Sequence, residues 1–135
     1  MARELYAKAG FVSTLLEGKV IHVIWEKLFD AQTIYDSCEA QLKAVKAGEA
    51  EVVIIDISNA KGTPPQECQD WFGNTLFPAF SENKSFKGLI NVLPKEVFAK
   101  LGADRWKKTA ESGAFGFSIY ESDSPESAKN LAATM

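Results

Sequence analysis

Two cysteines and one histidine are all the thiol and imidazole groups in this 135-residue chain. Cys38 and Cys68 each sit on the apolar stripe of a segment patterned as an amphipathic helix, where cysteine behaves as a small buried hydrophobe. His22 has no second imidazole and no Cys-x-x-Cys pair to join it, so neither a disulfide nor a metal site is expected. Set among aliphatics, His22 reads as a structural residue. Long apolar runs are missing too. None approaches the roughly 18 to 20 residues that cross a bilayer, and the opening M-A-R-E-L-Y-A-K-A-G lacks the apolar core of a signal peptide. These absences lead to the expectation of a cytoplasmic protein with no membrane span.

The glycine-rich phosphate and dinucleotide loops are absent, as is the G-x-S-x-G nucleophile turn, and only His22 could serve a nucleophile as base. No cofactor and no catalytic residue is therefore expected. The net charge of −3 argues against nucleic acid as a partner. Lys95, Lys100, Arg105, Lys107 and Lys108 form the most basic segment, but Glu96, Asp104 and Glu111 interleave with them, the pattern of a solvated face. Apolar residues at 46% and charged residues at 24% are ordinary for a globular chain, and the length suits one domain covering residues 1–135.

The best-defined element is Val52–Ile55, a β-branched run closed by Asp56-Ile57-Ser58-Asn59, which describes a strand covered on both faces and ending in a polar loop. Before it, Phe11–Leu16 and Lys19–Trp25 are β-prone runs separated by Glu17-Gly18, close enough for a tight hairpin. Val20, His22 and Ile24 share one face of the second run, and Ile21, Val23 and Trp25 the other. Asp30 is placed to cap a helix carrying Ile34, Cys38, Leu42 and Val45 inward, with Phe29 and Ile34 spaced as a hydrophobic staple and Gly48 as the stop. A second helix is expected from Pro64 to about Ser81, capped by Thr63, with Gln66 at the capping-box position and Cys68, Phe72, Leu76 and Phe80 on one stripe. Pro78 should kink it or end it near Phe77. Trp71 and Phe77 lie off that stripe, over loops or in an exposed aromatic patch.

Phe86–Leu93 reads as a further strand, followed by a helix from Pro94 that buries Val97, Phe98 and Leu101 and breaks at Gly102 before a piece containing Trp106. Ala114–Tyr120 alternates as a strand buried on one side, at or near a sheet edge. Ser124-Pro125-Glu126 opens a short last helix with Ala128, Leu131 and Ala132 inward. The expected fold is α/β, with a single mixed sheet of about five strands, four main helices and an opening antiparallel hairpin.

The order of these elements resembles the STAS-like group, which includes the bacterial anti-sigma-factor antagonists and overlaps in fold with CRAL-TRIO lipid-transfer domains. Short stand-alone bacterial members are the most similar. The residues that carry the resemblance are Trp25, V-V-I-I-D-I-S at 52–58, D-W-F at 70–72 with Leu76-Phe77-Pro78, G-L-I-N-V-L-P at 88–94 followed by V-F-A-K, and a closing aromatic strand before an alanine-rich helix. The antagonists switch through a serine in Asp-Ser-Ser-Gly; this chain has Lys61-Gly62-Thr63-Pro64 there, with Thr63 the nearest hydroxyl. The resemblance therefore implies the fold and leaves the activity open.

Three functions are consistent with this reading. The first is a non-enzymatic regulatory or protein-interaction module, which an exposed last strand with Tyr120 and an open sheet edge would let form a homodimer. The second is a small-molecule or lipid-binding domain, with Trp25, Trp71 and Phe77 as candidate pocket residues and Phe80 and Trp106 as further large aromatics. The third is a phospho-regulated switch in the loop after the central strand, where Asp56, Ser58, Asn59, Lys61 and Thr63 fall within eight residues. The plain alternative is that Asp56 and Ser58 only bond the turn and Thr63 only caps the next helix.

Overall fold

The computed structural model describes residues 2–62, 64–94 and 117–135. A six-stranded mixed sheet runs through it with its strands in chain order: β1 (Ala2–Lys8), β2 (Val12–Glu17), β3 (Val20–Trp25), β4 (Val52–Asp56), β5 (Gly88–Val92) and β6 (Ser118–Ser122). β1, β2 and β3 pair antiparallel, and β3 to β6 pair parallel. The β2–β3 hairpin turns at Gly18, whose φ of 62° suits a residue without a Cβ. The strand expected to be central, β4, does lie inside the sheet, and β6 lies at its edge.

The sequence reading of about five strands is corrected to six by β1. That strand is mostly exposed along its length, so A-R-E-L-Y-A-K shows no clean two-residue alternation. An outermost strand carrying Arg3, Glu4 and Lys8 is held by its ladder to β2 rather than by a buried face. The register along it also shifts between Glu4 and Tyr6, which blurs any pattern further.

Three helical stretches accompany the sheet among the described residues, against the four expected: α1 (Ala31–Lys46), α2 (residues 66–81) and α3 (Pro125–Thr134). The helix expected after Pro94, with Trp106, and the first three residues of the strand expected over Ala114–Tyr120 lie outside those residues; the rest of that strand falls in β6 and the residue before it. In α1 the cap is the expected one, since Asp30 accepts the Thr33 amide at 3.3 Å. At the other end Gly48, with φ of 76°, donates to Val45 while Glu49 donates to Ala44, the paired bonds of a Schellman stop. The expected staple is replaced: Phe29 remains 52% exposed, and its ring meets Phe11 edge-on at 6.3 Å.

α2 departs from expectation in three ways. It begins at Gln66 with Pro65 as the flanking residue, and the Gln66 side-chain amide donates to Asp70 at 2.9 Å. Near Pro78 the α-helical Gln66–Trp71 passes through a π-helical turn, Phe72–Leu76, into the α-helical Phe77–Ser81. Pro78 has no amide to give and its ring crowds the carbonyl four residues back, and a wider turn just before it accommodates both. The extra residue in that turn also changes which side chains face inward. Leu76, Phe77 and Phe80 are all buried, so Phe77 belongs to the core and not to an exposed patch.

Register divides the sheet into two faces. Leu16, Ile21, Val53, Leu89 and Ile119 form one row, and Leu15, His22, Ile54, Ile90 and Tyr120 form the next, pointing the other way. The first face carries the main core, closed by Ile34, Cys38 and Val45 of α1 and by Cys68, Leu76, Phe77 and Phe80 of α2. The second face carries a smaller cluster, Val52, Ile54, Ile90 and Val92 under Ala128 of α3. Each such aliphatic side chain contributes about 1.5–3 kcal/mol when fully buried. The two helices on one face and the single short helix on the other leave the β2–β3 side of the second face partly open, and Ile24 there is 45% exposed.

Candidate functional site

The loop after β4 is built around Asp56. The central strand ends there, and the carboxylate turns back on its own loop, with Oδ1 accepting the Ser58 amide at 2.9 Å and the Ser58 hydroxyl at 2.5 Å. This is the Asx-turn geometry available to aspartate two residues before a free amide. The Ile57 amide continues the parallel ladder by donating to Val92 at 3.0 Å. Asn59 is exposed. The Lys61 backbone is occupied on both sides, its amide donating to Glu26 and its carbonyl accepting from Leu28, each at 2.9 Å, while its side chain is exposed. Thr63 lies outside the described residues. The four described members of the candidate loop therefore lie together, but Asp56 and Ser58 satisfy each other and Lys61 is fixed by its backbone.

The candidate pocket aromatics take other places. Trp25 and Phe77 are buried in the main core, and Trp71 is half-buried, edge-on to Tyr35 at 4.9 Å and tilted against Phe72 at 6.0 Å. Phe80, also named among the aromatics, stacks on Phe86 at 4.9 Å. The two best-formed depressions, of about 180 and 210 Å³, are lined by none of these residues. Both volumes fall short of the roughly 300 Å³ at which small-molecule pockets begin.

The first depression lies on the second sheet face, beside α3. Leu15, Val23, Ile24, Ile54 and Pro125 supply its apolar lining, and Glu17, His22, Asp56 and Lys129 its charged or titratable groups. Strand pairing explains the convergence. Leu15, His22 and Ile54 are register partners, as are Ile24 and Asp56, while Pro125 and Lys129 are one helical turn apart on the flank of α3. His22 is held below the ordinary imidazole value, first by burial, then by the Lys129 ammonium, with Glu17 acting in the opposite direction. Its proton is therefore more easily lost than that of a free imidazole.

This cleft was not legible as a site in the sequence. Alternation in β3 put His22, Val20 and Ile24 on one face, but nothing local connects His22 to Glu17 across a hairpin or to Lys129 near the chain end. No nucleophile in the described residues is activated. Burial pushes the thiols of Cys38 and Cys68 upward, and Cys68 shares a hydrogen bond with the Tyr35 hydroxyl. Among the described residues no three His, Cys, Asp or Glu side chains are grouped to hold a metal ion, and no helix is long and apolar enough to cross a membrane. No known protein family, curated protein or solved structure matches the chain.

Proposed function

We propose that this chain is a non-enzymatic regulatory or interaction module of the STAS-like type, working through its partly open second sheet face. The observation that carries the reading is the uneven cover of the sheet. Among the described residues two helices close the first face, whereas the second has α3 alone over β4 and β5, leaving Leu15, Ile24 and Tyr120 at its margins, with Ile24 45% and Tyr120 37% exposed. Polar groups that would otherwise suggest chemistry are bonded to one another, as Asp56 is to Ser58. The hairpin followed by strand–helix alternation is the element order on which the STAS-like reading rests. A homodimer through this face or the β6 edge is the simplest assembly for such a module.

Light scattering of the wild type beside Ile24→Lys and Tyr120→Lys, with a pull-down from the native host, tests the proposal. Both substitutions fall on exposed positions and leave the fold intact. Association or partner capture that is lost in either variant supports it; a strict monomer that captures nothing overturns it. The apolar-ligand reading draws less support, because Trp25 and Phe77 fill the core. The phospho-switch reading keeps the loop at Asp56 as its location, and mass spectrometry of the protein from its host tests it directly.

A further inference from the structure

Helix α3 is the only described cover of the second sheet face, and its hold is slight. Ala128 is its one fully buried side chain, with Leu131, Ala132 and Met135 half-buried around it. Lys87 adds an exposed hydrogen bond to the Met135 carbonyl at 2.9 Å. A ten-residue helix is below the length that persists alone in water, so α3 is helical because it is docked.

His22 sits at the edge of that docking site. It is the register partner of Ile54, which packs in the Ala128 cluster, and it shares its cleft with Pro125 and Lys129 on the near flank of α3. Every element packed around the imidazole contributes to its charge environment: Glu17 from β2, Asp56 from β4 and Lys129 from α3. The Asp56 carboxylate is engaged by Ser58, and of the two exposed charges beside the imidazole Lys129 acts on it more strongly than Glu17. Lys129 remains as the like charge that a protonated imidazole would meet in a half-desolvated cleft.

We infer that His22 is a proton-operated latch on the C-terminal helix: the neutral imidazole lets α3 seat over Val52, Ile54, Ile90 and Val92, and protonation places a second cation beside Lys129 and unseats it. Release uncovers an apolar strip of β4 and β5. The sign follows from linkage. The Lys129 ammonium is one of the effects that make the His22 proton easier to lose, and that effect goes when α3 is released, so docking is strongest above the ordinary histidine value and weakens as pH falls below it. This inference goes beyond the interaction reading and does not rest on it.

The test is hydrogen exchange of the α3 amides at about pH 7.5 and about pH 5.5, below the ordinary histidine range but above that of the carboxylates. Protection is corrected for the intrinsic pH dependence of exchange, and the His22 titration is followed by NMR on the same sample. Expected in the wild type is a loss of α3 protection of at most about tenfold for each unit of the His22 depression that α3 itself supplies, while α1 amides near Val45 keep theirs. His22→Gln should make α3 protection independent of pH. Lys129→Gln, at an exposed position, should shallow the dependence, and it keeps the test open if the His22 variant does not fold. Wild-type α3 protection that ignores pH, a parallel loss in α1 and α3, or an unchanged pH dependence in both variants would each overturn the inference.

Discussion

Thr14 and Ser37 bring their hydroxyl oxygens to 2.7 Å in the core between β2 and α1, and neither side chain reaches solvent. Ser37 Oγ also accepts from Gln41 Nε2 at 3.1 Å, and Gln41 is itself buried. A small polar chain thus ties the first long helix to the hairpin inside an otherwise apolar layer. Its energetic weight lies in what is left unpaired when one member is removed. Ser37→Ala deprives both Thr14 and Gln41 of a partner, whereas Thr14→Val deprives only Ser37 of one of two. We expect Ser37→Ala to cost about 2–3 kcal/mol and Thr14→Val about 1 kcal/mol, measured by urea unfolding; equal costs would mean that the chain does not act as a unit.

The core aromatics give a second expectation, one that separates packing from pocket. Phe77 is buried against Phe72, the ring centroids 6.2 Å apart and nearly parallel. If these rings fill the core, Phe77→Ala removes packed volume and costs about 3–5 kcal/mol. The half-buried Trp71 should cost less when truncated. A ligand pocket would respond differently, since shortening a residue that lines an empty space leaves stability almost unchanged. Thermal or denaturant unfolding of the two variants decides between them.

How much of this was legible in the sequence depended on whether the signal was local. β3, β4 and β5 are buried strands with dense β-branched or aliphatic runs, and α1 and α3 carry their caps at Asp30 and Ser124, so all five could be read from neighbouring residues. β1 could not. Its strand state rests on pairing with β2, and its charged, exposed side chains have no periodicity to show. The π-helical turn at Phe72–Leu76 was likewise hidden, because a stripe drawn at 3.6 residues assumes the spacing that this turn alters. The described residues of the candidate loop are close in sequence, and the bonding between Asp56 and Ser58 follows the plain turn chemistry of aspartate and serine. The His22 cleft joins residues from β2, β3, β4 and α3, and such a meeting is set by sheet register and by the docking of α3, neither of which is local in sequence.

Glu51 offers an acid-side expectation distinct from that of His22. Its carboxylate lies between Lys87 at 3.3 Å and Lys19 at 3.5 Å, joining the starts of three neighbouring elements of the sheet. The Lys87 hydrogen bond is the largest effect; burial opposes it, and the charges of Lys87 and Lys19 with the Lys19 hydrogen bond add to it, so that the carboxyl is held below its ordinary value. A depressed carboxyl contributes stability that is present above its unfolded value and lost as pH falls through the folded one. Stability of the wild type should therefore decline on acidification from about pH 5 to about pH 3 more steeply than that of Glu51→Gln. Denaturant midpoints across this range check it, and identical slopes would show that the bridge is too screened to matter.

The last expectation sets two glycines against each other. Gly62 follows the candidate loop with φ of +83°, and a Cβ built on it would lie 3.4 Å from Phe29. Gly73 lies in the π-helical turn, where its φ is not positive and a Cβ would meet nothing within 4 Å. Alanine at position 62 must adopt the left-handed region, at roughly 1–2 kcal/mol, with its Cβ in contact with Phe29. Alanine at position 73 loses the excess backbone freedom of glycine in the unfolded chain and should stabilise by about 0.5–1 kcal/mol. Opposite signs for Gly62→Ala and Gly73→Ala in the same unfolding assay would show that the chain leaving the Asp56–Lys61 loop is held in one conformation, seated against Phe29. A neutral Gly62→Ala would mean that this conformation is not enforced, and that the bond from Asp56 to Ser58 is the loop's main restraint.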